Sequence, residues 1–466
     1  MMGLGGCQSQ ERVAREFAGR REASYRRLMR GATEPNATDL EAAHGALALA
    51  DCVELALVHN KDVQTAATEV LKAKGQMTEA VATALPKATF TGSALRNDNS
   101  GFINQKETYD LTVLARQPLY LGGLTEAAVD AAVVYTYLTG QQLRQTLQGV
   151  QLQVRRGYLD ALLARELVEV AREAKRNAQQ SLQDTRRQYE YGAGTRFDVL
   201  RAEVRLNAVN AALIQAENEA QLALTRLLNT MGVSQLSRVE LAEGLAYRPV
   251  EADPNASLFQ AIKRRPELLA GEAWVRLAQD NVTSQQSGDR PKVYLQGSYQ
   301  RSYPGFAASF AKLGGSNEEG GGTGGSALGG GKEWERTMNG GIVVEWPFFD
   351  GLATAGRVAQ AKAELRRQEV ALAKQEQQVQ LEVEQGVLNL RSSGEFVGSQ
   401  QGNVSLAEEA LRLARVQYQQ GAGTSLDVIS AEAALAQARS DYVRAVRDYE
   451  TAKLQLTWAL GVLGEE

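Results

Sequence analysis

The sequence predicts a mixed α/β chain built twice over, in which short alternating strands feed helices too long for an ordinary globular core. Three observations carry that expectation. The second half of the chain repeats the first, with YGAGTRFDVL at Tyr191–Leu200 answered by QGAGTSLDVI at Gln420–Ile429. Four segments alternate apolar and polar residues with a period of two. Two stretches, Leu124 to Tyr191 and Leu352 to Gln420, contain no proline.

The chain opens on MMGLGGCQSQ. Leu4-Gly5-Gly6-Cys7 resembles the cleavage box of a bacterial lipoprotein, in which the cysteine becomes the lipidated first residue. Here only three residues precede the box, where a basic and then an apolar segment is usual. Cys7 is therefore a candidate lipidation site, with an incidental cysteine in an N-terminal extension as the alternative. Residues 1–40 form that extension, 41–250 the first structural repeat and 251–466 the second.

A shift of 229 sets Tyr189, Gly192, Ala193, Gly194, Thr195, Asp198, Val199, Ala202, Glu203, Leu206 and Gly232 on Tyr418, Gly421, Ala422, Gly423, Thr424, Asp427, Val428, Ala431, Glu432, Leu435 and Gly461. The same shift sets QPLYLGG (117–123) on WPFFDGL (346–352), with Pro118 on Pro347 and Tyr120 on Phe349. Upstream the shift is 205, where LPKATFTGSALR (85–96) meets RPKVYLQGSYQR (290–301). The second copy has thus gained about 24 residues, and LGGSNEEGGGTGGSALGGGKE (313–333) is the visible addition. Glycine this dense favours a surface loop, assigned to 304–336. A duplication on this scale has to be recognised before any local motif is weighed.

Each copy reads helix, strand, loop, strand, long helix, tight turn, helix. The first helix covers about 41–84 and its counterpart about 256–285. In TYDLTVLA (108–115), Tyr109, Leu111 and Val113 alternate with polar neighbours. Strands are expected at about 87–96, 107–117, 291–301 and 338–346, and their lengths suit tilted strands that cross a bilayer. Alternation alone also describes a small water-soluble sheet packed on helices. If the strands do span a membrane, several chains must complete the barrel, because open edges are forbidden in hydrocarbon.

The helices weigh against the soluble sheet. Leu143, Leu147, Val150 and Val154 recur at coiled-coil spacing, and about 68 residues at 1.5 Å each span roughly 100 Å. The partner helices, about 195–231 and 424–460, are rich in Ala, Gln, Glu and Arg, which suits close side-by-side packing with one wet face. Between the helices of each pair, Gly192 and Gly194, or Gly421 and Gly423, can take the left-handed conformation that stops a helix. Thr195 or Thr424 can then cap the next helix, with Asp198 or Asp427 at its third position, where a carboxylate favours the helix dipole.

Several functions are disfavoured. A formal charge of −4 without a basic tract gives no support for nucleic acid. Cys7 and Cys52 form no CxxC, and His44 and His59 fall in no HExxH. GGGKE at 329–333 lacks the Ser or Thr of a P-loop. No catalytic residue, cofactor or metal site is expected.

Taken together the residues resemble the TolC-like outer membrane factor, or outer membrane efflux protein, family over roughly 41–462. The resemblance rests on RRPELLA (264–270), on the QPLYLGG and WPFFDGL strand-to-helix junctions, and on both GAGTxxDV turns in order. It implies a mixed α/β membrane protein. In this fold a trimeric twelve-stranded β-barrel, with four strands per chain, continues into a long periplasmic α-helical coiled-coil barrel. It further implies a homotrimer in outer membrane lipid, with the strand loops outside the cell. Both tips would then face a periplasmic adaptor (membrane fusion) protein and an inner membrane pump of RND or ABC type. Asp427 looks like the aspartate of a constriction ring, with Ser430 where the family often has a second acid. Asp198 and Arg201 become candidates for links at the tip, against simple helix capping. Trp346, Phe348, Phe349 and Tyr120 lie where an aromatic belt would meet headgroups. The expected function is an export channel for small molecules or drugs. The alternatives are a type I protein secretion channel and a soluble periplasmic spacer or adaptor.

Overall fold

The computed structural model describes residues 46–96, 107–303 and 334–464, apart from 236 and 238. The expectations for Cys7, for the extension 1–40 and for residues 304–333 of the glycine-rich loop lie outside these residues. The chain forms two compact units. One takes in Val70–Gly140 and Ala270–Leu372, and the other holds the chain up to Glu69, Gln141–Leu269 and Ala373 to the end.

The first of these units carries a four-stranded antiparallel sheet of β1 (Lys87–Arg96), β2 (Glu107–Tyr120), β3 (Lys292–Tyr303) and β4 (Glu335–Glu345), in that order. The strands match the expected segments to within three residues at every end. Register runs Phe90↔Val113↔Tyr299↔Met338 across all four, with an irregularity between Pro118 and Tyr120. In the same unit, Leu138 is fully buried against Ala270 and Ala273.

The helices are α1 (Leu49–His59), α2 (Lys61–Ala82), α3 (Leu124–Glu190), α4 (Arg196–Met231), α5 (Pro254–Arg264), α6 (Pro266–Gln286), α7 (Ala353–Gln419) and α8 (Ser425–Ala459). Helices α3 and α7 have 67 residues each, or roughly 100 Å at 1.5 Å per residue. Each expected leading helix is broken once. Asn60 leaves the helical region with ψ 133, and its Oδ1 accepts from the N–H groups of Asp62 and Val63 at 2.8 and 3.3 Å. In the second copy Arg265, with ψ 121, precedes Pro266, and proline disfavours helix at the residue before it. Both breaks sit under a glycine that ends a later helix. A Cβ on Gly232 would lie 2.7 Å from His59 O, and one on Gly461 would lie 3.0 Å from Arg264 C.

The helical unit has one apolar cluster around Cys52, Val154, Tyr158, Leu227 and Met231, and another around Leu390, Val397, Val446 and Tyr449. Two buried tyrosines fasten the irregular chain between the repeats. Tyr158 Oη donates to Leu47 O at 3.2 Å and accepts from Glu243 N at 3.3 Å. Tyr449 Oη donates to Arg248 O at 3.3 Å and accepts from Val250 N at 2.8 Å. Pairing these two hydroxyls in this way avoids a cost of about 1–3 kcal/mol for a buried polar group left bare.

Candidate functional site

Two features have functional geometry, one in each unit. In the sheet, opposed residues share a face, and the pleat sorts the two faces chemically. Phe90, Ala94, Tyr109, Leu111, Val113, Tyr299, Leu295, Val293, Met338, Ile342 and Val344 fall on one side. Thr89, Thr91, Ser93, Thr112, Asp110, Gln296, Ser298, Gln300, Thr337 and Asn339 fall on the other. Among the described residues nothing covers the apolar face: Met338 is 70% exposed, Phe90 69% and Ile342 66%. On the polar face Arg116 pairs with Glu345 at 2.6 Å and lies 3.5 Å from the Tyr294 ring centroid.

At one end of this face Pro118 sits at the β2 irregularity, and Tyr120, opposite Val293, is exposed. Strand β4 stops at Glu345, so Trp346, Pro347, Phe348 and Phe349 lie just beyond it, and the three aromatic rings are exposed. Trp346 Nε1 donates to Asp289 O at 3.1 Å.

The second feature is the pair of tips in the helical unit. Each long helix ends in the same hydrogen-bonded reversal. Ala193 N donates to Gln188 O at 2.8 Å and Gly192 N to Tyr189 O at 3.0 Å, and Ala422 and Gly421 repeat the bonds at 2.9 and 3.1 Å. These are the two bonds of a Schellman motif, which needs a left-handed residue after the helix. Gly192 and Gly421 supply it, with φ of +73° and +74°. Gly194 and Gly423 do not take the expected left-handed conformation. They sit in tight quarters instead, since a Cβ would lie 3.2 Å from Tyr189 N and from Tyr418 N, respectively.

Thr195 Oγ1 accepts from Asp198 N at 3.2 Å, and Asp198 Oδ2 accepts from Thr195 N at 3.4 Å. Thr424 and Asp427 make the same reciprocal box at 3.3 and 2.8 Å. The two aspartates differ in their second oxygen. Ser425 Oγ, at the start of α8, donates to Asp198 Oδ1 at 2.7 Å and joins the two hairpins. Donation from Thr195 and then from Ser425 holds the Asp198 carboxyl below the usual range, and the Arg201 charge adds to this. Asp427 is also lowered, by Thr424 alone. The Arg201 guanidinium lies 4.5 Å over the Phe197 ring, and Ser430 is exposed.

A polar cluster above the tips was not anticipated. Buried Glu432 accepts from Ser181 Oγ at 2.6 Å and from Arg415 at 3.1 Å, and Arg415 also donates to Asn177 at 3.1 Å. The cluster ties α3 to α7 and α8. The first hairpin repeats the ion pair as Arg186–Glu203 at 2.6 Å, with both side chains exposed. The shared offset of Arg186 and Arg415 was the available signal.

An amphipathic sheet with an exposed apolar face, continued in sequence by two alike-capped helical hairpins, is the form a subunit of a membrane channel would take. The sequence pattern of the family described as outer membrane efflux protein matches residues 52–233 and 258–462, and the chain belongs to that family. It is therefore part of an export channel of the bacterial outer membrane, and as a channel it catalyses no reaction. Among curated relatives, the chain is 25% identical over 434 residues to the alkaline protease secretion protein AprF of Pseudomonas aeruginosa, covering 90% of this chain and 85% of the relative. It is 26% identical over 439 residues to the proteases secretion protein PrtF of Dickeya chrysanthemi, covering 90% and 89%. The crystal structure of CusC, a protein described as forming a transmembrane channel, matches with a TM-score of 0.76 at 19% identity, covering 89% of this chain and 92% of CusC.

Proposed function

We propose that three copies of the chain close one twelve-stranded barrel and one helical tunnel, through which an inner membrane pump and a periplasmic adaptor export cargo. The observation that carries this reading is the amphipathic sheet with two open edges, β1 and β4. In hydrocarbon every edge peptide group must be paired, so a four-stranded sheet with an oily face needs further copies of itself. Each copy would contribute the same structural unit twice, as residues 41–250 and 251–466.

The duplication also suggests how copies meet at the tips. Within the chain, Asp198 of the first hairpin faces Ser425 of the second. Moved on by 229 residues, the same contact sets Asp427 of one copy against Arg196 of the next, an oppositely charged pair. Both residues are exposed in the single chain. Asp427 then serves as the gate residue of a charged constriction, with Ser430, Asp198 and Arg201 beside it.

For the cargo, the names of AprF and PrtF support the protein secretion reading over small-molecule efflux, and that reading takes an ABC-type pump as partner. The test is replacement of the outer membrane channel in cells that secrete a protease by such a pump. Secreted protease activity is expected. Restored drug resistance without secretion would turn the assignment back to efflux.

A further inference from the structure

Beyond Tyr109 the apolar face carries Arg96 opposite Glu107, an oppositely charged pair, and closer to its middle it holds one pair of like charges that does not belong in oil. Arg301 of β3 lies directly opposite Arg336 of β4, on the same face as Leu111, Tyr299 and Met338. Both side chains are exposed, and among the described residues neither guanidinium has an ion-pair partner. The neighbouring acid Glu335 is paired with Ser302, so the pleat turns it to the polar face. Like charges placed directly across a strand pair repel, and a low-dielectric setting makes that repulsion worse. An anion between the two arginines would remove both costs.

Their height on the strand indicates which anion. From Val344 to Arg336 the strand climbs eight residues, roughly 27 Å at 3.4 Å each. At the 35–45° tilt of barrel strands this is roughly 20 Å of height, which puts the arginines near the upper edge of an apolar band about 25 Å tall. Immediately beyond the arginines lie Tyr109, Tyr303 and Trp334, with ring centroids 6.1, 6.5 and 5.5 Å apart. Such rings favour the headgroup level. Two guanidiniums at this level offer a fork matched to phosphate oxygens.

We propose that Arg301 and Arg336 form a binding site for the phosphate of a membrane lipid, seated on the outer wall of the barrel below the Tyr109–Tyr303–Trp334 cluster. The inference rests on the barrel reading above, since it requires this face to meet lipid. The experiment is native mass spectrometry of the full chain, delipidated in detergent, with added lipid A (a phosphate-monoester lipid), phosphatidylcholine or inorganic phosphate. Lipid A is expected to remain bound, with at least tenfold weaker retention in the double variant R301Q/R336Q and little retention of phosphatidylcholine. Equal lipid A retention by parent and variant overturns the site. Displacement of lipid A by inorganic phosphate at comparable concentration overturns the lipid source and leaves a soluble anion. Should the variant fail to assemble, modification of the parent by phenylglyoxal decides: lipid A should shield Arg301 and Arg336 together, and unshielded arginines overturn the proposal. The same spectra give the chain count. A monomeric parent defeats the barrel reading itself, whereas a trimer without arginine-dependent lipid defeats only this inference.

Discussion

Leu352 holds a φ of +68°, the one non-glycine residue on the positive side among those described. Its counterpart in the first copy is Gly123, at +90°, so the duplication has put a side chain where the turn wants none. Left-handed backbone costs an L-residue about 1–2 kcal/mol, and part of that gain is offset by the added freedom of glycine in the unfolded chain. Leu352 is 73% exposed, so little packing is lost on replacement. Leu352→Gly should therefore stabilise the protein by about 0.5–1 kcal/mol, read as a higher Tm by circular dichroism; a lower Tm would count against the strain.

The same scale governs Asp198, whose carboxyl is lowered by donation from Thr195 and Ser425. A depressed folded pKa means the stabilisation is present above the unfolded value, about 4, and is lost as pH falls through the folded one. Removing one donor by Ser425→Ala should move the acid-unfolding midpoint to higher pH, and an unmoved midpoint would show that the link carries no stability. Capping by Thr195 and Thr424 was legible because it needs only neighbours in sequence. The Ser425–Asp198 contact was not, since it joins residues 227 apart.

Helices α3, α4, α7 and α8 were legible almost to the residue, because the absence of proline and the GAGT turns bound them tightly. The breaks at Asn60 and Arg265 were not foreseen, although their signals were present. Asn60 is a preferred capping residue, and Pro266 forbids easy helix before it. Each expected range was carried through its break without weighing these two residues. Asn60 also reaches across to Thr230 O at 2.8 Å, which no sequence pattern announces. Asn60→Ala loses the cap and leaves that carbonyl without its donor, so a cost of about 1–2 kcal/mol is expected. Urea unfolding would check it, with an unchanged midpoint speaking against the capping role. Strands were legible through alternation, yet alternation could not say which residues of neighbouring strands share a face. The register resolves the faces, and it also exposes Arg301 and Arg336 on the oily one.

For the molecule as a whole, duplication was the strongest sequence signal, and it explains why four strands and two hairpins arise from one chain. It does not supply chain number, because edge pairing between copies leaves no mark in a single sequence. The bare apolar face, the open edges and the exposed Asp427 and Arg196 all call for neighbours. A gate formed by that pair makes a specific demand: Asp427→Ala should raise conductance several-fold, and Arg196→Asp with Asp427→Arg should return it toward the parent value. Single-channel conductance in a planar bilayer, comparing the parent and Asp427→Ala purified undenatured from outer membranes, tests the central claim most directly. Discrete, long-lived steps that grow in the variant are predicted for a barrel closed by three chains and narrowed at its tips. Folded, helical protein that stays silent as both parent and variant would contradict the channel assembly.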